Sequence, residues 1–400
     1  MSLFLRVVTL EEAIRVVRDI APAPVEEEIS LSEALHRVLA RDVNAAEDLP
    51  GFTRTTVDGY AVRAADTAGA GESIPAILRH AGEVSMGSEP GGPLGKGEGM
   101  YLPTGAMLPA GADAAVMIEY TEKIGDEILV KRPVAPGENV ILAGEDFPKG
   151  GLILPTGKRL SPRDIGILAA SGNDRVAVFQ RPVIGIISTG NELVPVNITP
   201  GPGQVRDANG PMCAAFVEEA ECSLRPYGIV RDDRSALIGM LEKAIGECDA
   251  ILLSGGSSKD VRDLAASVIA EKGEVLVHGI GIAPGKPTII GRAGGRPVIG
   301  LPGHPASAYV ILHTLVGPLL SAMSGSSRPE RRVSVILAEN IPSQKGRVEF
   351  VRVRIEDGRA IPCFGKSGLL NTFAGSDGLV LVPADREGFE VGETVEVILW

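Results

Sequence analysis

The 400-residue sequence is poor in basic residues, and this shortage limits the partners that the chain can have. Lysine and arginine number 39 against 51 aspartates and glutamates, so the formal net charge is −12 and the pI is about 5.1. A protein that binds duplex nucleic acid needs a basic face to neutralise phosphates. Nucleic acid is therefore excluded as the main partner, and an anionic ligand has to be bound by local donors.

Cysteine is also scarce, and its spacing excludes the usual metal and redox motifs. Cys213, Cys222, Cys248 and Cys363 form no C-x-x-C motif and stand at no zinc-site spacing from a histidine. We expect buried free thiols in a reducing compartment. The first residues lack a long apolar core with a cleavage site, and no apolar run approaches the length of a membrane span. These features predict a cytoplasmic protein with no membrane partner.

The sequence has no internal repeat and no low-complexity segment. Domain boundaries therefore have to be located from changes in the pattern of apolar, glycine and proline residues. A chain of 400 residues is too long for one core, and two to four domains are expected. Capping boxes at Thr9–Glu12 and Ser30–Glu33 predict two opening helices. Short apolar runs among frequent Gly and Pro predict an all-β insertion at 47–146. Ser161, followed by a proline, predicts the start of a short helix at 163–171.

Residues 182–325 alternate strand and helix patterns, which predicts a doubly wound α/β domain. Four loops that follow predicted strands carry acid, glycine, lysine or proline, and ligands bind at such strand ends. From Ser326 onward the pattern predicts strands at 332–337, 348–355, 379–382 and 394–399, which form a small barrel or sandwich. Within the α/β domain the predicted strands are 183–187, 224–230, 251–253, 274–279 and 298–301, and the predicted helices are 209–222, 236–245, 264–271 and 307–323.

One stretch of this domain predicts an anion site. The apolar run 250–253 enters Ser254-Gly255-Gly256-Ser257, and a helical pattern follows from about Asp263. Glycines allow a sharp turn and close approach of a ligand, and the free N–H groups before a helix favour an anion. The loop is therefore a candidate phosphate cradle, although a plain turn between strand and helix gives the same pattern.

Eight short motifs occur in a fixed order, at 58–61, 104–106, 144–146, 188–193, 231–233, 254–256, 284–287 and 300–307. They read Asp-Gly-Tyr-Ala, Thr-Gly-Ala, Gly-Glu-Asp, Ser-Thr-Gly-Asn-Glu-Leu, Arg-Asp-Asp, Ser-Gly-Gly, Pro-Gly-Lys-Pro and Gly-Leu-Pro-Gly-His-Pro-Ala-Ser. Each motif is weak alone. In this order, over essentially the whole chain, they resemble the molybdopterin molybdenumtransferases, the family of MoeA and the gephyrin E domain.

This resemblance implies a multidomain fold of the α/β plus all-β class. A doubly wound MogA-like α/β domain is expected at residues 181–326, and an inserted β domain at 47–146. A helical and extended linker domain, split into residues 1–46 and 147–180, flanks the insertion. A C-terminal β-barrel is expected at residues 327–400.

The resemblance also implies an enzyme of molybdenum cofactor biosynthesis, which inserts molybdate into adenylylated molybdopterin and releases AMP with Mg²⁺ as the cofactor. Its substrates are small molecules, and the expected assembly is a homodimer with an active site shared between chains. Other proteins of molybdenum cofactor biosynthesis are further candidate partners. Two alternatives stay open: a molybdopterin adenylyltransferase, against which the two β domains argue, and a non-catalytic gephyrin-like scaffold.

The candidate site residues follow from the matched motifs, except Arg347 and Arg352, which come from a predicted strand. Glu192, Asp232 and Asp263 are candidate metal ligands as well as catalytic residues. The full catalytic set is Asp58, Thr104, Asp146, Glu192, Asp232 and Asp263. The candidate substrate-binding residues are Ser188, Thr189, Gly190, Ser254, Gly255, Gly256, Ser257, Lys286, Pro302, Gly303, Pro305, Arg347, Arg352 and Ser367.

The sequence departs from the family pattern at three loops. In the Ser-Gly-Gly loop, Ser257, Lys259 and Asp260 replace Val, Val and Gly, so Asp260 competes with Asp263 as the functional acid. Ala283 stands where the family often has a lysine, which Lys259 could replace. His304 stands where the family has asparagine, and it is either an added donor or a surface residue.

The candidate residues suit anionic substrates, which need oriented donors and a metal more than a nucleophile. Three carboxylates at strand ends, Glu192, Asp232 and Asp263, match the oxygen ligands that Mg²⁺ prefers. N-capping of the following helix is the competing interpretation of Asp232 and Asp263. Lys286 is predicted to hold an oxyanion or to be a solvated turn residue. Arg347 and Arg352 bind molybdate or form a cross-strand ion pair.

Overall fold

A computed structural model describes residues 7–255, 259–326, 331–366 and 368–400, with side chains omitted for 259–263. The chain forms two compact units. The first combines the chain up to Glu28 with His36–Ala40 and Ala177–Trp400, and the second combines Ile29–Leu35 with Arg41–Val176. The finer division into domains bounded at residues 46, 146, 180 and 326 stays a prediction.

The first unit contains a six-stranded α/β sheet that confirms the predicted doubly wound domain. Its strand order is Ser223–Val230, Val183–Thr189, Ala250–Gly255, Arg296–Leu301, Ile289–Ala293 and Gly273–His278. The first four strands are parallel, and Ile289–Ala293 runs against its two neighbours. The sequence interpretation missed this antiparallel strand. It forms a hairpin with Arg296–Leu301 through Gly294-Gly295, both at positive φ, as tight hairpin turns require.

Helices cover both faces of the α/β sheet because successive residues of a buried strand point to opposite sides. Ala250 and Leu252 join one apolar core, while Ile251 and Leu253 join the other. The first core contains helix Asn209–Glu219 and the long helix at 305–324, and the second contains Arg234–Glu247 and Lys259–Lys272. The sheet is therefore buried on both faces, and its strand ends are where ligands have access.

The long helix begins earlier than predicted. His304 occupies the N-cap position and Pro305 the first helical position, whereas Ser307 lies inside the helix and is buried. Proline at the first position is favoured because its missing N–H has no partner there anyway. The helix continues through a π turn, Leu312–Val316, into Gly317–Ser324.

This long helix also corrects the prediction that no apolar run approaches a membrane span. By length and composition, Pro305–Ser324 qualifies, with a mean hydropathy of 1.5. However, 61% of its apolar window is buried inside the protein, and Leu312, Leu315 and Leu319 are fully covered. It is a core helix of the first unit.

The N-terminal helix, Leu10–Ile20, is confirmed, and its buried residues join the first core. Its cap is the one predicted, because Thr9 Oγ1 accepts from Glu12 N at 3.1 Å. The second predicted helix is wrong. After Ser30 the chain makes only the 3-10 turn Leu31–Glu33, and His36 then adopts φ 65°, which a right-handed helix cannot contain.

The C-terminal part of the first unit is a closed β-barrel, as predicted. Five strands pair in a ring because Val348–Glu356 bonds both Arg359–Pro362 and Gly378–Val382. The short strand Arg359–Pro362 was not predicted. Valines and leucines fill the interior, among them Val353 and Val397, which are fully buried. The ring order is Val348–Glu356, Arg359–Pro362, Arg332–Leu337, Thr394–Leu399 and Gly378–Val382.

The second unit contains a six-stranded β-sheet, which confirms the β character predicted for the insertion. It also contains helix Pro162–Ala170, where Ser161 and Asp164 form a capping box. The sheet order is Ala114–Met117, Gly59–Val62, Glu98–Leu102, Ala76–Glu83, Glu127–Val130 and Thr121–Ile124. Shorter strands in the chain are Glu26–Ser30, Val43–Asn44, Arg54–Thr55, Val140–Ile141, Leu152–Leu154, Arg175–Phe179, Leu193–Val194, Val205–Arg206, Ile282–Ala283, Ile341–Pro342 and Gly388–Phe389.

Candidate active site

Four predicted site loops converge at one edge of the α/β sheet. This edge, called here the rim, is formed by the carboxyl ends of the parallel strands. One small cavity at the rim is lined by a residue from each loop, namely Thr189, Gly255, Pro287 and Leu301. The chain turns to opposite sides of strand Val183–Thr189, so the rim contains the switch point where α/β proteins bind ligands.

The backbone at Gly255 leaves no room for a side chain. Thr189 and Gly255 are register partners on neighbouring strands. A Cβ at residue 255 would lie 2.1 Å from Thr189 Cγ2 and 3.1 Å from the Thr189 carbonyl oxygen. Ser188 and Ser254, one position earlier, are both buried. The two loops therefore start side by side, with backbone close to the space above the rim.

Asp232 is fixed by the first rim loop. Thr189 Oγ1 donates to Asp232 Oδ1 at 2.8 Å, and Asn191 N donates to Oδ2 at 3.1 Å. The N-cap of the following helix is Asp233, whose Oδ1 accepts from Ala236 N at 2.8 Å. The N-capping interpretation of Asp232 is therefore wrong. Its carboxylate is half-buried and held at the rim by two donors of a neighbouring loop.

Glu192 belongs to the same loop as Thr189. Its Oε2 lies 2.9 Å from the position that a Cβ of Gly190 would take, so the carboxylate folds back over Gly190. Glu192 and Asp232 thus provide carboxylates only, a donor set that suits Mg²⁺, which takes one or two carboxylates together with phosphate oxygens. Among the side chains that the structure describes, no group of three metal-binding residues is found.

Several candidates lie outside what the structure describes. Gly256, Ser257 and Ser367 fall in the gaps, and no side chain is described for Asp260 or Asp263. The choice between these two acids therefore stays a prediction, as do the replacement by Lys259 and the third metal ligand. The backbone at Asp263 is nevertheless helical, inside Lys259–Lys272, so this residue does not cap the helix.

Lys286 is exposed on a loop that its neighbours hold in shape. Its carbonyl accepts from Ile280 N at 2.9 Å, and Thr288 Oγ1 donates to the Gly285 carbonyl at 2.7 Å. Pro287, the next residue, lines the rim cavity. The ammonium group is therefore carried by a constrained turn beside the cavity, while Ala283 provides no second cation there.

The loop that contains Pro302, Gly303 and Pro305 is fixed from the neighbouring helix. Asn209 Nδ2 donates to the carbonyl oxygens of Pro302 and Gly303, at 3.3 and 3.1 Å. His304 is exposed, and its ring approaches Gly368, whose Cβ position lies 3.7 Å from His304 Cδ2. A loop of the C-terminal barrel therefore reaches this part of the rim.

Arg352 is a buried cation with little compensation. It is 9% exposed, its Nη2 donates to the Gly365 carbonyl at 2.9 Å, and its Nη1 has no partner among the described residues. Burial lowers the pKa of Arg352. The structure describes no carboxylate paired with it, so the cross-strand ion pair is not found for Arg352. Arg347, directly before strand Val348–Glu356, which contains Arg352, is exposed.

The remaining candidates lie in the second unit. Asp58 Oδ1 accepts from Thr104 N at 2.7 Å and from Thr104 Oγ1 at 3.1 Å. Asp58, Thr104 and Asp146 are all exposed, and Asp146 N donates to the Leu49 carbonyl at 3.0 Å. The structure thus brings Asp58 and Thr104 together, which the sequence could not predict because the residues are 46 positions apart.

The sequence interpretation missed Asp207, which lies under the first rim loop. Ser188 Oγ donates to Asp207 Oδ2 at 2.6 Å, and both residues are buried. Burial, together with the neighbouring Asp207, raises the pKa of the Cys213 thiol to about 12. All four cysteines are free, and Cys363 alone is half-buried rather than buried. An acid and an amide directly before a predicted helix were the available sign for Asp207 and Asn209.

Comparison with known proteins agrees with this architecture. Family models match the chain in succession: the MoeA N-terminal region (domain I and II) at residues 8–172, the "Probable molybdopterin binding domain" at 185–322, and the MoeA C-terminal region (domain IV) at 334–400. The molybdopterin molybdenumtransferase of Bacillus subtilis (strain 168) is 30% identical over 403 residues, covering 98% of this chain and 94% of that protein.

Two solved structures are similar over almost the whole chain. The molybdopterin biosynthesis MoeA protein from Pyrococcus horikosii is 42% identical with a TM-score of 0.88, covering 98% of this chain and 99% of that one. A MoeA protein from Pyrococcus horikoshii OT3 is 35% identical with a TM-score of 0.87, covering 99% and 100%. The fold is therefore that of a multidomain enzyme of molybdenum cofactor biosynthesis.

The chain belongs to the MoeA family of molybdopterin molybdenumtransferases. The resemblance based on the eight motifs is thereby confirmed, and so is the expected fold with its MogA-like domain and closed C-terminal barrel.

Proposed function

We propose that this chain inserts molybdate into adenylylated molybdopterin and releases AMP, with Mg²⁺ as the cofactor. The observation that carries the proposal is the Asp232 carboxylate, which Thr189 Oγ1 and Asn191 N hold at the carboxyl edge of the parallel strands. A carboxylate held by two donors and a lysine on a constrained turn are groups that a metal ion and two anionic substrates require. No protein nucleophile is needed, because water and the substrates themselves supply the reacting atoms.

The reaction balances without a change at the protein. Water cleaves the phosphoanhydride bond and AMP leaves. The two dithiolene thiols replace two oxo groups of molybdate, which take the two thiol protons and two protons from solvent and depart as two waters. Thr189 and Asn191 hold the orientation of the Asp232 carboxylate by donating to its two oxygens. Lys286 holds a molybdate oxygen as a point charge. We assign Arg352 as a second cation, because its Nη1 has no partner among the described residues and could donate to an anion.

Mg²⁺ would be held by Glu192 and Asp232, with Asp263 as the expected third ligand. When bound, it neutralises the phosphate charge that accumulates as AMP leaves. The two described carboxylates leave coordination positions for phosphate oxygens and water, which this ion normally keeps. Zinc fits less well, because histidine and cysteine are its preferred partners and neither contributes to this donor set.

Asp58, Thr104 and Asp146 act in the same reaction from the second unit. We assign them to a cleft shared by two chains of a homodimer, as the family resemblance implies. Asp58 and Thr104 would orient a substrate group through the acid, whose Oδ1 is fixed by the threonine. The reaction takes place in the cytoplasm, where free cysteines stay reduced.

The direct test is incubation of the purified protein with adenylylated molybdopterin, Mg²⁺ and molybdate, with AMP followed by chromatography. We expect AMP release that depends on molybdate. Controls omit molybdate or replace the substrate by molybdopterin and ATP. AMP release without molybdate would contradict coupled insertion. Formation of adenylylated molybdopterin from ATP would instead support the adenylyltransferase alternative.

A further inference from the structure

The turn before helix Asn209–Glu219 connects two of the rim loops. Asp207 and Asn209 are 8% and 6% exposed, so both polar side chains are essentially inside the protein. Asp207 receives Ser188 Oγ on one oxygen, at 2.6 Å, and Gly210 N on the other, at 2.9 Å. The carboxylate thus joins the end of strand Val183–Thr189 to the start of the helix.

Asn209 makes the second connection. Its Nδ2 donates to the carbonyl oxygens of Pro302 and Gly303. Two carbonyl acceptors can only be satisfied by the NH₂ group, so the orientation of the amide follows from its partners. Its Oδ1 is buried and has no partner among the residues that the structure describes.

The backbone here leaves no space for a looser arrangement. A Cβ at Gly210 would lie 2.5 Å from Asp207 Oδ2 and 2.9 Å from Ser188 Oγ. The helix start is therefore pressed directly against the Ser188–Asp207 hydrogen bond. Any side chain at residue 210 would separate the rim loop from the turn.

A role in stability alone explains Asn209 poorly. Its Oδ1, a buried acceptor without a partner among the described residues, lowers stability and so offsets part of what its two hydrogen bonds contribute. The benefit of the amide lies in its two bonds to one short stretch of backbone. That stretch, Pro302–Gly303, carries proposed substrate-binding residues.

We propose that Asp207 and Asn209 are positioning residues that together set the separation between the Ser188–Gly190 loop and the Pro302–Gly303 loop. The inference rests on the proposed function for its kinetic consequence, but not for its structural one. Neither side chain needs to touch substrate. Each holds a loop whose backbone does, and small displacements of binding groups reduce rates strongly.

The test compares Asn209→Ala and Asn209→Asp with the wild type, and uses Asn340→Asp as the matched control. Asn340 also bonds backbone, but as an acceptor from Val391 N in the barrel, which aspartate preserves. Amide hydrogen exchange reports the loops directly. We expect the amides of Gly303, His304 and Ala306 to exchange at least about tenfold faster in both Asn209 variants and unchanged in the control.

Kinetics with adenylylated molybdopterin then distinguish a positioning role from a purely structural one. We expect kcat/KM, measured well below the thermal midpoint of each variant, to fall at least about tenfold in the Asn209 variants, mainly through KM. In Asp207→Asn the Ser188 hydroxyl loses its carboxylate acceptor. We expect the amides of Ser188, Thr189 and Gly190 to exchange faster in this variant. Unchanged exchange at Gly303, His304 and Ala306 would overturn the inference whether or not the wild type releases AMP. Faster exchange with unchanged kcat/KM would overturn it as well.

Discussion

Two acid–threonine pairs, one in each compact unit, use the same chemistry in different surroundings. In the second unit, both donors of exposed Thr104 converge on a single oxygen of Asp58. In the first unit, Thr189 is 1% exposed, and its hydroxyl and the Asn191 N–H go to different oxygens of Asp232. The first arrangement leaves one Asp58 oxygen for a ligand, whereas the second fixes the plane of the Asp232 carboxylate.

A third pair shows what the same pattern means when it serves folding. Ser161 donates both its N–H and its hydroxyl to Asp164 Oδ2, at 2.8 and 2.6 Å. This carboxylate is 2% exposed and caps helix Pro162–Ala170. The hydrogen-bond pattern alone therefore does not identify a functional acid. Greater exposure distinguishes Asp58 and Asp232, the acids that we propose to be functional, from Asp164.

The largest effect is expected for Asp232→Asn. The amide would present an N–H group to the Thr189 hydroxyl or to Asn191 N, and the charge that faces the metal and phosphate would be lost. We predict a fall in kcat of roughly 10²-fold, with the thermal midpoint nearly unchanged. Initial rates of AMP release and thermal unfolding measure the two effects.

Asp233→Asn is the matched control for this change. Asp233, the residue after Asp232, caps the helix through its own Oδ1, and asparagine is an equally good N-cap. We expect wild-type rates from the control. Equal loss in both variants would mean that the helix start, and not Asp232, is what the reaction requires.

A smaller and unequal pair of effects is expected for Thr189→Val and Thr104→Val. Valine keeps the shape and removes only the hydroxyl. Asp232 Oδ1 then loses its threonine donor, whereas Asp58 Oδ1 keeps the shorter bond from Thr104 N. We predict that kcat/KM falls about tenfold for Thr189→Val and about threefold for Thr104→Val, which corresponds to the roughly 0.5–1.5 kcal/mol of one ordinary hydrogen bond. A larger loss for Thr104→Val than for Thr189→Val would contradict the difference inferred between the two pairs.

The smallest effect on activity is expected for Asp164→Ala, which should lower stability instead. Loss of the buried cap is expected to lower the free energy of unfolding by about 1–2 kcal/mol, with kcat unchanged. Burial alone would raise the pKa of Asp164, but hydrogen bonds from the Ser161 hydroxyl and N–H, together with Lys158, lower this pKa below its ordinary value. A carboxyl with a lowered folded-state pKa contributes stability above its ordinary pKa and loses it as pH falls through the folded value.

The difference in unfolding free energy between the wild type and Asp164→Ala should therefore be constant above about pH 5 and shrink below about pH 4. Urea unfolding at several pH values measures it. A difference that grew on acidification would mean that the pKa is raised. A marked loss of kcat would place Asp164 with the functional acids, against its burial.

Local patterns predicted the elements well where one force dominates. The helical spacing of apolar residues and the capping box both predicted helix Leu10–Ile20, and apolar runs located the parallel strands. They failed where a distant contact or an unusual backbone decides. The sequence Ser30–Glu33 matches a capping box, but only a 3-10 turn forms, and His36 at φ 65° is incompatible with a right-handed helix. Strand Ile289–Ala293 was missed because its hairpin turn is two glycines, which also suit a loop.

The site could be predicted as a set of loops, because strand ends of a parallel sheet meet at one edge. Which acid performs which task could not. Asp232 and Asp233 are adjacent in sequence, and only their partners distinguish the rim acid from the cap. Asp207 and Asn209 were missed because their partners, Ser188 and Gly303, are remote in sequence.

Both acid–threonine pairs are proposed to serve one reaction, in clefts shared by two chains. The test mixes Asp58→Ala with Asp232→Ala, each inactive alone and carrying a different tag, under conditions that allow subunit exchange. In a hybrid dimer one cleft then carries both lesions and the other carries none. With random association, roughly a quarter of all clefts should release AMP. Confirmed hybrids with no more activity than either parent would contradict the shared site.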